Sequence, residues 1–277
     1  MQSENIKEKI VNSKEIISSF INHKHIFLKS RGNCAILDSL NYITKISKKN
    51  NILIQDQGGW LTYKKYPKKC DLKVLELKTD YGIIDLNELE KKAKIAAAIL
   101  YQNPAGYIAN QPIKNIYEIC KKNNCKVILD VTGCIGDKNL CDGLYADVIV
   151  SSFGTGKIVN LGYGGFISFL TENKFDILED FDSKYFEELV DKLNNAKNRL
   201  DKLYKLSTNV KKDLKKLNLN IVHHEKIGIN VVVLFNNIFE KEKILNYCKN
   251  KNFEYTICPR YIRILDDAIS IELKRIL

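Results

Sequence analysis

Forty-three residues, Val127 to Phe169, constrain this chain most: VILDVTGCIGDKNLCDGLYADVIVSSFGTGKIVNLGYGGFISF. An apolar run, Val127 to Leu129, ends in a single acid, Asp130. A second run, Asp147 to Val150, leads through Ser152 to Lys157, and a glycine-rich turn, Gly162 to Gly165, enters a third. Short apolar runs bounded by turn residues read as strands buried on both faces, as in a parallel sheet. Open α/β sheets bind their ligands beyond the carboxyl ends of such strands, where Asp130 and Lys157 would stand.

The rest of the chain alternates in the same way. Residues 4–20 have the spacing of an amphipathic helix, followed by the run His25–Lys29 and the turn Ser30-Arg-Gly-Asn33. A helix is expected over Cys34–Ser47, and strands over Asn51–Ile54, Val74–Leu77 and Ile95–Leu100. Asp85 is a candidate N-cap, and Pro112 opens a helix over Ile113–Lys122. This alternation predicts an α/β fold with a mainly parallel sheet sandwiched by helices. After Leu170 the texture changes to a long charged helical stretch, Ser183 to Leu217. Strands are expected at Ile227–Phe235, Phe253–Ile257 and Tyr261–Leu265, with helices at Glu240–Lys249 and Asp266–Ile276. The expected division is a large domain over 1–175, including the N-terminal helix, and a small C-terminal α+β domain with a long linker helix over 176–277.

Composition narrows the function classes. A chain of 277 residues with 45% hydrophobic and 28% charged residues can bury a full α/β core. No apolar run has the length of a membrane span and MQSENIKEKI has no signal-peptide core, so no membrane association and a cytoplasmic location are expected. The formal charge of +11 comes from scattered lysines without interleaved aromatics. Nucleic acid is therefore not the expected partner, and anionic small molecules suit such a surface equally well. Eight cysteines form no CxxC pair and the histidines complete no zinc pattern, so no metal is expected. Gly154-Thr-Gly-Lys157 is not a P-loop, since Ser151 and Ile158 stand where that motif needs Gly and Ser or Thr, and no early GxGxxG is present.

Three separated motifs agree in order and spacing. They are Asn103-Pro-Ala-Gly106 after a buried run, Asp130 at the end of a later one, and Ser151-Ser-Phe-Gly-Thr-Gly-Lys157 followed by Gly162-Tyr-Gly-Gly165. Together they resemble the fold-type I pyridoxal-phosphate enzymes, the aspartate aminotransferase superfamily, over roughly residues 25–170. The serine five positions before the lysine, the glycine-rich turn and Trp60-Leu-Thr62 look most like the DegT-type sugar aminotransferases.

The resemblance implies a PLP-dependent aminotransferase with pyridoxal 5'-phosphate as cofactor. It would move an amino group from an amino-acid donor to a keto-sugar or keto acid, and would act as a homodimer. Lys157 would carry the cofactor as a Schiff base, and Asp130 would keep its ring nitrogen protonated. Asn103 would donate to the ring oxygen, Trp60 would stack on one face, and Thr132 would close the other. The phosphate would rest on the backbone of Gly32, Asn33 and Cys34, with the Ser152 hydroxyl adding a bond. Arg263 resembles the small-domain arginine that holds a substrate carboxylate. Gly133 and Tyr163 replace the Gln or His and the Glu usual in the sugar aminotransferases, so a different pocket is expected. Two other readings remain: a lyase or sulfur- or selenium-transfer enzyme using Cys34 or Cys134, and an inactive PLP-fold binding protein.

Overall fold

The computed structural model describes residues 2–172 and 176–276. The N-terminal part contains nine strands, β1 (His25–Lys29), β2 (Asn51–Gln55), β3 (Lys73–Leu77), β4 (Thr79–Asp80), β5 (Ile83–Ile84), β6 (Ala96–Gln102), β7 (Lys126–Asp130), β8 (Val148–Ser152) and β9 (Gly165–Phe169). Seven form one sheet in the order β1-β9-β8-β7-β6-β2-β3, and β4 pairs with β5 as a small hairpin. The pairs from β3 through β8 are all parallel, while β9 runs antiparallel to both β8 and β1. This is the mainly parallel sheet expected from the alternation.

Because side chains alternate along a strand, each central strand buries two sets of apolar residues. Leu53, Ile99, Val127, Leu129 and Ile149 pack into one core cluster. Helices α1 (Gln2–Ile21), α4 (Leu86–Ala93), α5 (Ile113–Lys122) and part of α6 (Phe186–Lys216) cover that face with Ile17, Leu89, Ile116 and Leu193. Ile52, Ile54, Ala98, Leu100, Ile128, Val148 and Val150 point the other way. There α2 (Gly32–Ile46), with Ala35, Ile36, Leu40 and Ile43, and α3 (Leu61–Lys65), with Tyr63, cover them. Asp85 caps α4, its carboxylate accepting from the Asn87 and Glu88 amides.

The outer edge of β1 is closed by acids from a later segment. Glu179 accepts from the Leu28 amide at 2.9 Å and Asp180 from the Ser30 amide at 3.1 Å. The buried Lys29 ammonium reaches both Asp38 at 2.9 Å and Asp180 at 3.2 Å.

A second sheet lies C-terminal, with β10 (Asn220–Ile221), β11 (Val231–Leu234), β12 (Tyr255–Ile257) and β13 (Ala268–Ile271) in the antiparallel order β10-β11-β13-β12. Helix α7 (Ile238–Asn250) packs on it through Ile244 and Cys248. The long helix α6 serves both cores, with Leu189, Leu193, Leu200 and Leu203 in the first and Val210 and Leu214 in that of the small sheet. The domain boundary expected at 175/176 abuts residues 173–175, which lie outside the described residues.

Two expectations in this region are corrected. Residues 261–265 are not a strand, and 266–276 are not a helix. All four residues of β13 are buried, and it pairs with β11 on one side and β12 on the other. Pairing with two distant strands outweighs the helical spacing of Ile269, Leu273 and Ile276. Only a short 3-10 turn, Leu273–Arg275, follows.

A buried ion cluster joins these last turns. Arg263 donates to Glu272 twice, from Nε at 2.7 Å and Nη2 at 2.6 Å, and the Lys274 ammonium donates to the same carboxylate at 2.6 Å. Asn230 Nδ2 adds a fourth bond at 2.9 Å. Burial alone would raise the Glu272 carboxyl, but Arg263 and Lys274 outweigh it and hold it well below the ordinary range. Burial and the neighbouring Arg263 push Lys274 down to about 8.

Two stability measurements check this architecture. Ile128→Ala, a fully buried residue of the central strand β7, should cost about 2–5 kcal/mol in urea unfolding. Glu272→Gln leaves two buried cations without their counter-ion and should cost about 3–5 kcal/mol. Since folding lowers the Glu272 pKa, its contribution is complete above the unfolded value near ~4.3 and fades as the pH falls through the folded one. Acid unfolding of the unaltered protein should therefore show a loss that Glu272→Gln lacks.

Candidate active site

Strand parity decides what meets at the carboxyl ends of the sheet. Ala98 and Leu100, Ile128, and Val148 and Val150 all face α2. The next position of the same parity on each strand is Gln102 on β6, Asp130 on β7 and Ser152 on β8. Gln102 and Asp130 are register partners. All three line a cavity of about 340 Å³, together with Arg31, Gly32, Asn33, Trp60, Thr132 and Lys157.

At one end of the cavity α2 begins. Its first turn has no side-chain cap, so backbone N–H groups of Gly32 and Asn33 stand at the cavity wall. A Cβ on Gly32 would lie 2.5 Å from the Ser152 Cβ, so only glycine lets the helix start this close to the end of β8. The Ser152 hydroxyl accepts from the Gly154 amide at 3.2 Å and keeps its own proton to donate. Cys34, expected here, is not among the lining residues, and its amide is engaged by the Arg31 carbonyl at 3.0 Å.

Asp130 is 5% exposed and held from two sides. The Thr132 amide donates to one carboxylate oxygen at 2.9 Å, and the Tyr63 hydroxyl donates to the other at 2.6 Å. Burial, with the Asp130 charge beside it, pushes the Tyr63 phenol well up, so it stays a donor. The Thr132 hydroxyl in turn accepts from the Ser152 amide at 2.9 Å, tying the ends of β7 and β8 together.

Lys157 reaches into the same space from the turn after β8. Its ammonium lies 4.7 Å from the Trp60 ring centroid and donates to the Tyr107 hydroxyl at 2.8 Å. The Trp60 indole N–H donates to Asn33 Oδ1 at 3.0 Å, which fixes the ring against the start of α2. Tyr107 has a positive φ of 68°, which for a bulky side chain costs about 1–3 kcal/mol. Its carbonyl accepts from both the Ile229 and Asn230 amides at 2.9 Å, which hold it there.

Besides Cys34, three residues singled out in the sequence fall elsewhere. Asn103 has the opposite parity to Gln102 and is fully buried on the far side of the strand. Its Nδ2 donates to the Leu140 carbonyl at 2.6 Å and its Oδ1 accepts from the Gln111 amide at 2.9 Å. Arg263 is 2% exposed and outside the cavity lining, its fork engaged by Glu272. Cys134 is fully buried against the Asn103 carbonyl, and burial pushes its thiol well up, which leaves no thiolate for sulfur transfer. Gln102, Tyr63 and Tyr107 were missed. Gln102 was legible in principle, because counting by twos from Ala98 puts it on the Asp130 face.

Residues 2–160 match the family model of the class-V aminotransferases, and residues 197–277 match that of the MJ1341 family C-terminal domain. A search of curated proteins found no sequence match. Among solved structures, similar ones include a cysteine desulfurase from Thermococcus onnurineus NA1 and PseC of Helicobacter pylori, an aminotransferase involved in the biosynthesis of pseudoaminic acid. The first is 14% identical with a TM-score of 0.71, over 98% of this chain and 80% of that one. The second is 15% identical with a TM-score of 0.72, over 95% and 85%. A serine palmitoyltransferase from Sphingomonas wittichii is 12% identical, with a TM-score of 0.73 over 95% and 70%. At these identities the likeness concerns the fold, that of the fold-type I enzymes. The residues fit the cofactor pyridoxal 5'-phosphate. The cavity offers an amine, a buried carboxylate and an aromatic face, and Gln102 Nε2 is buried without any hydrogen-bond partner. With its sheet, its cavity and more than half its length in agreement, the chain belongs to the class-V aminotransferase family of PLP-dependent enzymes.

Proposed function

We propose that this chain is an aminotransferase that takes an amino group from an amino-acid donor and passes it to a keto acceptor, a keto-sugar before a keto acid. The observation that carries the reading is the meeting of Lys157, Asp130 and Trp60 in one cavity beside an uncapped helix start. Bound PLP supplies the electron sink that transamination requires. Lys157 is the amine that would hold it and afterwards move a proton on the substrate carbon. Asp130, fixed by Tyr63 and Thr132, would keep the ring nitrogen protonated. Trp60 would cover one ring face and Thr132 the other. The Gly32 and Asn33 amides with the Ser152 hydroxyl would take the phosphate, where the helix dipole adds to the attraction.

Gln102 takes over the role first expected of Asn103. Its unpartnered amide costs free energy as it stands, and a ring oxygen would satisfy it. The Glu272 carboxylate already occupies Arg263, so the carboxylate of the amino-acid donor, or of a keto acid, would have to be held elsewhere in the site. The sugar-directed reading, the homodimer and the division of the chain at 175/176 are parts of the same proposal.

An absorption spectrum of the protein with added PLP tests the reading, with Lys157→Ala beside it. The unaltered protein should show a visible band that the variant lacks. L-Glutamate should bleach the band, and a keto acceptor should restore it. No band in the unaltered protein would remove the proposal. Gln102→Ala should weaken PLP retention about tenfold, equivalent to ~1.4 kcal/mol, with an unchanged melting temperature. Asn103→Ala should do the reverse and lower the melting temperature, because its bonds are internal to the fold.

A further inference from the structure

Tyr107 touches Lys157, yet no part of the site described so far accounts for its surroundings. Its ring lies between the cavity and the C-terminal ion cluster. Lys157 Nζ is 5.1 Å from the ring centroid, Lys274 Nζ 5.0 Å and the Arg263 guanidinium 5.2 Å. Cations over an aromatic face are attracted to it. Both C-terminal cations are fixed by Glu272, which also receives Asn230 Nδ2, and Asn230 donates its backbone N–H to the Tyr107 carbonyl. The cluster therefore grips Tyr107 through its ring and through its backbone. The strained φ is kept with Tyr107 at the cavity wall and its hydroxyl on Lys157.

We propose that Tyr107 is a positioning residue for Lys157, and that the Arg263–Glu272–Lys274 cluster is what holds it in place. This rests on the reading of Lys157 as the cofactor-bearing amine. The hydroxyl accepts the Lys157 N–H and so fixes the direction of the reacting nitrogen; the ring carries the link from the C-terminal sheet to the site. The charged and titratable groups that face this pair are Lys157 itself, Lys274 and Arg263 with their shared Glu272, Tyr63 with Asp130 across the cavity, and Arg31 and Tyr163 on the cavity wall.

The test is the pH dependence of the visible band of the PLP-loaded protein, which reports protonation at the Lys157 nitrogen. A hydroxyl that accepts from this nitrogen favours its protonated form, so Tyr107→Phe should keep the band and lower its pH midpoint by about one unit. Phenylalanine preserves the ring, so the melting temperature should hold. In the cofactor-free protein, trapping of added PLP with borohydride should label Lys157 more slowly in Tyr107→Phe, because the amine is no longer aimed. Lys274→Met removes part of the hold on the Tyr107 ring and should likewise slow borohydride trapping of added PLP at Lys157 in the cofactor-free protein. A band in Tyr107→Phe with the unaltered midpoint and trapping rate would overturn this role and leave the PLP reading standing. No band in either protein would overturn both.

Discussion

The two-residue repeat of β6, β7 and β8 is the constraint on which the rest depends. Each strand must bury apolar side chains on both faces, so the residue that closes it is assigned to a face before any chemistry is considered. Gln102, Asp130 and Ser152 all close their strands on the α2 side. The start of α2 and the Trp60 turn approach from that same side. A single shift of one residue in β6 would have put Asn103 in the cavity and Gln102 among the helices.

This explains what could and could not be read from the sequence. The fold class and the positions of Asp130 and Lys157 follow from apolar runs and from what immediately succeeds them, while Trp60 rests on the family resemblance alone. The motif Asn103-Pro-Ala-Gly106 matches by residue type, and residue type does not reveal that its asparagine turns to the face opposite Asp130. Arg263 is hidden for a different reason: its partner, Glu272, directly follows a strand that local spacing presents as a helix. Tyr63 and Tyr107 left no local signal, since their partners Asp130 and Lys157 are brought to them only by the folded sheet.

The site has two kinds of support. Asp130, Thr132, Ser152 and Gly32 are locked by short bonds and close backbone approach within the large sheet. Lys157 depends on Tyr107, and Tyr107 depends on residues 229–274. The buried Arg263–Glu272–Lys274 cluster is weak evidence for stability as such, since hydrophobic replacements often do as well. Its place beneath Tyr107 gives a reason for charges there that a core of leucines would not serve.

The position of β13 at the centre of the small sheet sets an order of assembly. On a chain made from its N-terminus, every strand of the large sheet has emerged once Phe169 is out, and its cavity can form. The small sheet must wait, because β11 and β12 have no common partner until Ala268–Ile271 arrives. Glu272 and Lys274 come later still. The nascent protein thus passes through a stage in which Asp130 and the start of α2 are in place while the groups that hold Tyr107 beside Lys157 are still missing.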